Sequence, residues 1–167
     1  MTMLTSAENG TLWIGVPAPQ GAGIALTSAG VRLHRHGQEP ELLDWTNLAS
    51  VEVQALVSLW RYPRVASWVL NVVAAAMSSW SPGDADVVKV VCLRRDATTV
   101  TAEAAACYLT GYVRAEVEAV SELLHRAVRD PAVRLLLDEP AAVLGAVQRS
   151  VRTKAPLQLH GSAQRKG

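Results

Sequence analysis

A two-residue alternation of apolar and polar positions marks most of the first hundred residues after residue 10. Such alternation is typical of β-strands that bury one face. The turn signal Ser28-Ala29-Gly30 separates two of these runs and predicts a hairpin, and a second hairpin is predicted to turn around Asp96-Ala97. The runs predict about seven short strands, at Leu12 to Val16, Ile24 to Leu26, Val31 to Arg35, Leu43 to Trp45, Val51 to Val57, Val87 to Leu93 and Val100 to Ala104.

The segment Val65–Trp80 lacks this alternation and contains neither glycine nor proline. Its apolar residues cover nearly every side of a helical wheel, apart from a narrow stripe formed by Ser67, Asn71 and Ser78. A helix that is apolar nearly all round needs cover on more than one side. Because the segment is shorter than the roughly 20 residues that span a bilayer, we predict a buried or interface helix and no transmembrane segment.

The last third of the chain has the three- and four-residue spacing of amphipathic helices. Apolar residues recur with this spacing from Val113 to Ala127 and predict one helix. Asp130-Pro131 and Glu139-Pro140 each place an acidic residue before a proline, a pattern that begins a helix because proline is tolerated at the first helical position. A final helix is therefore predicted from Pro140 to about Arg152.

The length of 167 residues fits one ordinary domain. We predict a flexible arm over residues 1–10, a single α+β domain over residues 11–153, and a disordered basic tail over residues 154–167. The tail contains only Leu157 and Leu159 as large apolar residues, so it is expected to be dispensable for folding.

Composition narrows the class of protein further. Half of the residues are apolar and 19% are charged, which excludes bulk disorder. The formal net charge of +1 argues against a nucleic-acid partner, because such proteins usually carry a strongly basic face. The polar N-terminus lacks the pattern of a signal peptide, so a cytoplasmic location is expected. The preference for arginine over lysine favours a GC-rich bacterial genome of the actinobacterial kind.

Two pairs of residues have the types that a metal site or a nucleophile needs, but each pair lacks its remaining partners. His34 and His36 share a face of a predicted strand and could supply two ligands to a zinc or iron ion. A third ligand is missing, and Arg32 on the same face would repel a cation. Cys107 and His125 could form a thiolate–imidazole pair, but the sequence shows no third group that would orient the base.

Two loops have part of a known binding pattern. Gly21-Ala22-Gly23 is a fragment of a glycine-rich phosphate loop, but a strand, not a helix, is predicted to follow it. Asp84, Asp86 and Asp96 suggest a calcium loop, yet Arg95 stands at the twelfth position, where an EF-hand needs glutamate. We therefore predict no catalytic residue, no metal and no cofactor.

The order of predicted elements resembles that of bacterial pleckstrin-homology-like (PH-like) domains. The local resemblance covers GIALTSAGVRLHRHGQEPELLDWTNLASVEV, residues 23–53, and the wider one adds the rest of the first hundred residues and the helix after Gly111. The positions that carry it are Leu26, Thr27, Gly30 and Val31, followed by Leu43, Trp45, Leu48 and Val51. The predicted helix Val65–Trp80 and the two helices after Pro131 depart from a minimal PH domain.

This resemblance implies a strongly bent antiparallel sheet, or partly open barrel, of about seven strands with a C-terminal helix at its open end. It also implies binding or scaffolding, since members of this fold class mostly bind peptides, proteins or lipid headgroups. Phosphoinositide-binding members carry a Lys/Arg cluster near the first hairpin, whereas this chain has only Arg32 and Arg35 there. That activity is therefore not carried over, although peripheral membrane contact stays open.

Tryptophan placement suggests where a partner would bind. Five tryptophans are many for one small domain, and three of them flank or lie on the apolar segment. Tryptophan is enriched at the energetic centres of interfaces, although core packing is an equally good explanation. The candidate interface consists of Trp60, Trp68, Val69, Val72, Val73 and Trp80.

The sequence favours a non-enzymatic interaction or scaffold protein that binds a protein partner or itself. The alternative is a carrier or sensor of an apolar small ligand or lipid, in which the predicted helix Val65–Trp80 acts as a lid over the sheet.

Overall fold

Antiparallel strands come first and α-helices follow in the computed structural model, which describes residues 3–7, 10–18, 21–55, 57, 87–107 and 112–159. The strands are β1 (Leu4–Ser6), β2 (Leu12–Ile14), β3 (Gly23–Leu26), β4 (Gly30–His34), β5 (Glu41–Asp44), β6 (Leu48–Gln54), β7 (Val87–Arg94) and β8 (Thr99–Ala105). The helices are α1 (Arg114–Arg129), α2 (Pro131–Leu136) and α3 (Pro140–Thr153), and a 3₁₀ helix spans Trp45–Asn47. The α+β class predicted from the sequence is confirmed.

The strands form two antiparallel sheets in which each strand pairs with the next one along the chain. The first sheet has the order β1-β2-β3-β4-β5 and the second has the order β6-β7-β8. Both predicted hairpins are present, and the second turns at Ala97, which has a left-handed φ of 65°. The described residues form eight strands, which are the seven predicted from the sequence together with β1, and their two sheets do not form a closed barrel.

Two corners join the sheets. At the end of β2, the N–H of Val16 donates to the carbonyl oxygen of Ala105 at 2.9 Å. Gly15 precedes it with a φ of +80°, and a Cβ there would lie 2.3 Å from the same oxygen, so glycine is required at this close approach. At the other corner, Trp45 is fully buried and its indole N–H donates to the carbonyl of Thr27 at 2.9 Å. Trp45, one of the positions that carry the resemblance, thus links the turn between β3 and β4 to the start of β6.

Helix α1 covers the second sheet at β6, and α2 and α3 pack against α1. One face of α1 is buried, and α1 packs against β6, α2 and α3. Asp130 accepts a hydrogen bond from the N–H of Ala132 at 2.8 Å, and Pro131 occupies the first turn of α2. Proline also begins α3. The helix starts predicted from the two acidic-proline pairs are therefore confirmed.

Both predicted flexible ends differ from the structure where the structure describes them. Residues 4–6, assigned from the sequence to a loose arm, form strand β1, and Met3 and Leu4 are fully buried. The predicted tail begins with Lys154, but Leu157 is only 3% exposed and belongs to the core. Each of these segments is short and mainly polar, and it is ordered because a neighbouring element provides an apolar site and hydrogen-bond partners.

The predicted helix Val65–Trp80 lies outside the described residues. Among the helices that the structure does describe, none is both long enough and apolar enough to cross a membrane.

Candidate functional site

All six residues of the candidate interface lie outside the described part of the chain. They are Trp60, Trp68, Val69, Val72, Val73 and Trp80. The prediction of an interface there stays a prediction. The residues of the other candidate sites can be placed, apart from Asp84 and Asp86, which also lie outside the described residues.

The two histidines do not share a strand face. Strand β4 ends at His34, and His36 lies exposed in the turn that follows, where Gly37 has a φ of 70°. The ring of His34 instead packs against Trp13, with 4.8 Å between ring centroids. No group of three or more metal-ligating side chains occurs among the residues that the structure describes.

The cysteine and histidine proposed as a thiolate–imidazole pair have different surroundings. His125 is exposed on α1, whereas Cys107 is half-buried beside Tyr112. Burial raises the pKa of the Cys107 thiol, and burial is also the main reason why the pKa of Tyr112 is raised. The second cysteine, Cys92, is buried in β7, and burial raises its pKa to about 11. Both thiols are therefore neutral near pH 7, and neither is activated as a nucleophile.

The two loops with partial binding patterns have structural roles. Gly23 begins a strand, and a Cβ at this position would lie 2.9 Å from the Trp13 ring, so the glycine makes room for the indole. Asp96 accepts hydrogen bonds from the hydroxyl and the backbone N–H of Thr98, and these bonds lower the pKa of its carboxyl group. Gly23 therefore supports the packing of its strand, and Asp96 supports the hydrogen bonding of its turn.

A cluster that the sequence argument missed forms around the N-terminal strand. The N–H of Met3 donates to Oε1 of Glu116, whose side chain is on α1 and only 6% exposed. Nearby, the N–H of Cys107 donates to the hydroxyl oxygen of Tyr112 at 2.7 Å. After burial, the charge of Glu116 adds to the raised pKa of both Cys107 and Tyr112, so a buried acid, a phenol and a thiol lie close together between the end of β8 and the start of α1.

The sequence did carry a signal for this cluster. Glu116 stands three residues after Val113 and four before Val120, so it lies on the apolar face of α1. A carboxylate on such a face needs a buried hydrogen-bond donor, because burying it alone would be costly. The pattern could not identify the donor, since the backbone N–H of Met3 is 113 residues away.

Charged side chains border two open grooves. A groove of about 700 Å³ lies between the first half of α1 and the segment after α3, and its charged lining includes Arg114, Glu118 and Lys154. A second groove of about 450 Å³ lies between β5 and the end of β7. Beside it, Glu41 bridges two arginines, accepting from Arg35 and from Arg94 at 2.8 Å each. The carboxylate of Glu41 and the two guanidinium groups are therefore paired with each other, and none of the three is a free catalytic group.

Comparison with known proteins adds no relative: no protein-family model, curated protein or solved structure matches this chain.

Proposed function

We propose that this protein is a non-enzymatic interaction or scaffold module on a PH-like framework, which acts in the cytoplasm and binds a protein partner or a second copy of itself. The order of elements supports the PH-like framework. With β1 set aside, seven strands in two antiparallel halves are followed by a helix that packs against β6. In this proposal β1, α2, α3 and the predicted helix Val65–Trp80 are additions to that framework.

One observation carries the proposal of a partner: the apolar faces of α1 and α3 already have cover. The buried residues of α1 pack against β6, α2 and α3, and α3 also contacts β1. An apolar helix at Val65–Trp80 needs cover on more than one side, and monomers rarely expose more than a few hundred Å² of contiguous apolar surface. We infer that a partner protein supplies part of that cover.

The chemistry of the described polar groups favours binding over catalysis. The thiols are neutral, and the carboxylates of Glu41 and Glu116 are engaged by groups of the same chain. The two grooves are bordered by charged side chains. The lining of the groove beside α1 is mainly apolar, but both grooves are open, whereas apolar small molecules bind in enclosed cavities. We therefore favour the protein partner over the lipid or apolar-ligand alternative.

A substitution in the predicted helix tests this function. We expect Val72→Asp to lower the mass measured by size-exclusion chromatography with light scattering, while the chain stays folded. Trp68→Ala should weaken assembly in the same direction. Asn71→Asp is the matched control, because it adds the same charge on the predicted polar stripe, and it should leave the assembly unchanged.

Three other outcomes would contradict the proposal. If Val72→Asp unfolds the domain, the helix is covered by the chain itself. If Val72→Asp changes neither mass nor melting, the segment is neither core nor interface. Native mass spectrometry of the purified chain that shows an added mass of only a small molecule would favour the ligand-binding alternative.

A further inference from the structure

The N-terminal strand occupies an edge of the first sheet. Strand β1 pairs with β2 through Leu4↔Ile14, Thr5↔Trp13 and Ser6↔Leu12. Because β1 is the first strand in the sheet order, β2 would be the edge strand without it. An open sheet edge is a template for pairing with another chain. Strand β1 therefore fills a site where an extended segment adds to the sheet.

This site recognises its strand by shape and by polar contacts. Met3 and Leu4 are 0% and 1% exposed. The N–H of Gly15 donates to the carbonyl oxygen of Met3 at 2.8 Å, and the hydroxyl of Thr5 donates to the carbonyl oxygen of Gly15 at 2.7 Å. Glu116 accepts the N–H of Met3 at the far end of the strand. An occupant must therefore be extended, present two adjacent apolar side chains and carry a backbone N–H for Glu116.

Residues 7–11 connect this strand to β2, and the structure describes Ala7, Gly10 and Thr11 among them. Ala7 donates its N–H to Thr11 at 3.0 Å, and Gly10 donates its N–H to Ala7 at 2.9 Å. Gly10 has a φ of +75°, is exposed, and has nothing within 4 Å of where a Cβ would be. Opening this connection breaks these two backbone hydrogen bonds, so the connection has the properties of a hinge.

We propose that the site beside β2 also accepts β1 from a second copy of this chain, so that two copies exchange their N-terminal strands. The exchanged strand would make the contacts that β1 makes within one chain, and only the hinge conformation would change. A second copy is the partner that fits, because its strand already has the required residues in the required order. This inference deepens the proposed self-association, but it uses a surface that does not include Val65–Trp80.

A shortened hinge tests the exchange. A chain lacking residues 7–10 leaves only Thr11 between Ser6 and Leu12, which is too short for β1 to fold back onto its own β2. We expect this chain to double its mass in size-exclusion chromatography with light scattering. A chain in which residues 7–10 are replaced by four glycine and serine residues should keep the mass of the unmodified chain. Adding Leu4→Asp to the shortened chain should abolish the doubling.

The opposite result would overturn the proposal. If the shortened chain keeps its mass and melts like the full chain carrying Leu4→Asp, the site does not accept a strand from another copy. If the shortened chain aggregates, a second experiment tests whether the site accepts a strand from another molecule: a peptide of residues 1–7 is added to the full-length chain that carries Leu4→Asp. A rise in melting temperature with this peptide, but not with the same peptide carrying Leu4→Asp, supports the exchange, and no rise at saturating peptide rejects it.

The failure of this inference can be distinguished from the failure of the proposed function. Adding Val72→Asp to the shortened chain should leave the strand-exchanged dimer intact, because β1 and its site are unchanged. A doubling that is lost only with Val72→Asp would instead point to the predicted helix as the contact.

Discussion

The two ends of the described chain are both tied to α1, but by different means. At the N-terminal end, β1 adds three pairs to the ladder of a sheet and buries Leu4, while Met3 just before it is buried and bonds to Glu116 in the first turn of α1. At the C-terminal end, residues 155–159 follow α3 without regular structure. There, one side chain, Leu157, is buried, and Arg126 near the end of α1 donates to its carbonyl oxygen at 2.9 Å.

This difference shows two ways to order a short terminal segment. A strand at a sheet edge shares its backbone hydrogen bonds with the whole sheet, so its contacts form together. The C-terminal segment depends on the buried Leu157, on the partly buried Leu159 and on a few bonds from side chains, such as that from Ser150 Oγ to the carbonyl oxygen of Ala155 at 2.6 Å. We therefore expect substitutions in β1 to reduce stability more than those around Leu157.

The largest effect is expected from Leu4→Asp. This change places a charge at a position that is 1% exposed, and an unpaired buried charge costs about 3–5 kcal/mol. Ser6→Asp is the control, because Ser6 is exposed at the end of the same strand. Urea unfolding followed by tryptophan fluorescence would measure both. Equal losses for the two variants would show that β1 is not anchored by Leu4.

Leu157→Ala should follow, with a loss of about 2–3 kcal/mol, because a buried leucine is removed and a cavity remains. A chain that ends at Lys154 should be destabilised by a similar amount, which reverses the expectation from the sequence that the whole tail is dispensable. Gln158→Ala, at an exposed neighbouring position, should have little effect. A chain ending at Lys154 that melts like the full chain would show that Leu157 contributes nothing to stability.

Glu116→Ala is expected to cost about 1–2 kcal/mol, because the N–H of Met3 loses its acceptor in a buried place. Glu116→Gln keeps an acceptor oxygen and should recover part of this loss. Glu118→Ala, on the exposed side of the same helix, is the control. If Glu116→Ala is as stable as the unmodified chain in thermal melting, the acid is not what holds the N-terminal strand.

The smallest effect is expected from Arg126→Met, at about 0.5–1 kcal/mol. The variant loses the bond to the carbonyl of Leu157 and the ion pair with Glu122, and that pair is partly exposed. The long apolar side chain of methionine preserves the packing of the arginine stem. Arg129→Met, which changes the same charge at an exposed position, should shift the melting temperature less. If Arg126→Met lowers the stability more than Leu157→Ala does, the polar contacts of Arg126 contribute more to stability than the burial of Leu157.

Part of the candidate site could be found in the sequence, and part could not. An acidic residue on the apolar face of α1 is visible as Glu116, and two apolar residues stand in the tail as Leu157 and Leu159. Their partners are not visible, because Met3 is 113 residues from Glu116 and Leu157 is 31 residues from Arg126. The histidine pair shows the converse, since a period of two predicted a shared face that a turn after His34 prevents.

By itself, the sequence determined the local elements of this protein. Alternation specified the hairpins around Gly30 and Ala97, and the acidic-proline pairs specified where α2 and α3 begin, because these signals act over a few residues. Only the tertiary structure decided which terminal segments are ordered. A segment as short as β1 or residues 155–159 has too few contacts of its own to offset the entropy of ordering it. Its order comes from β2, Glu116 and Arg126, which the fold brings to it from distant parts of the chain.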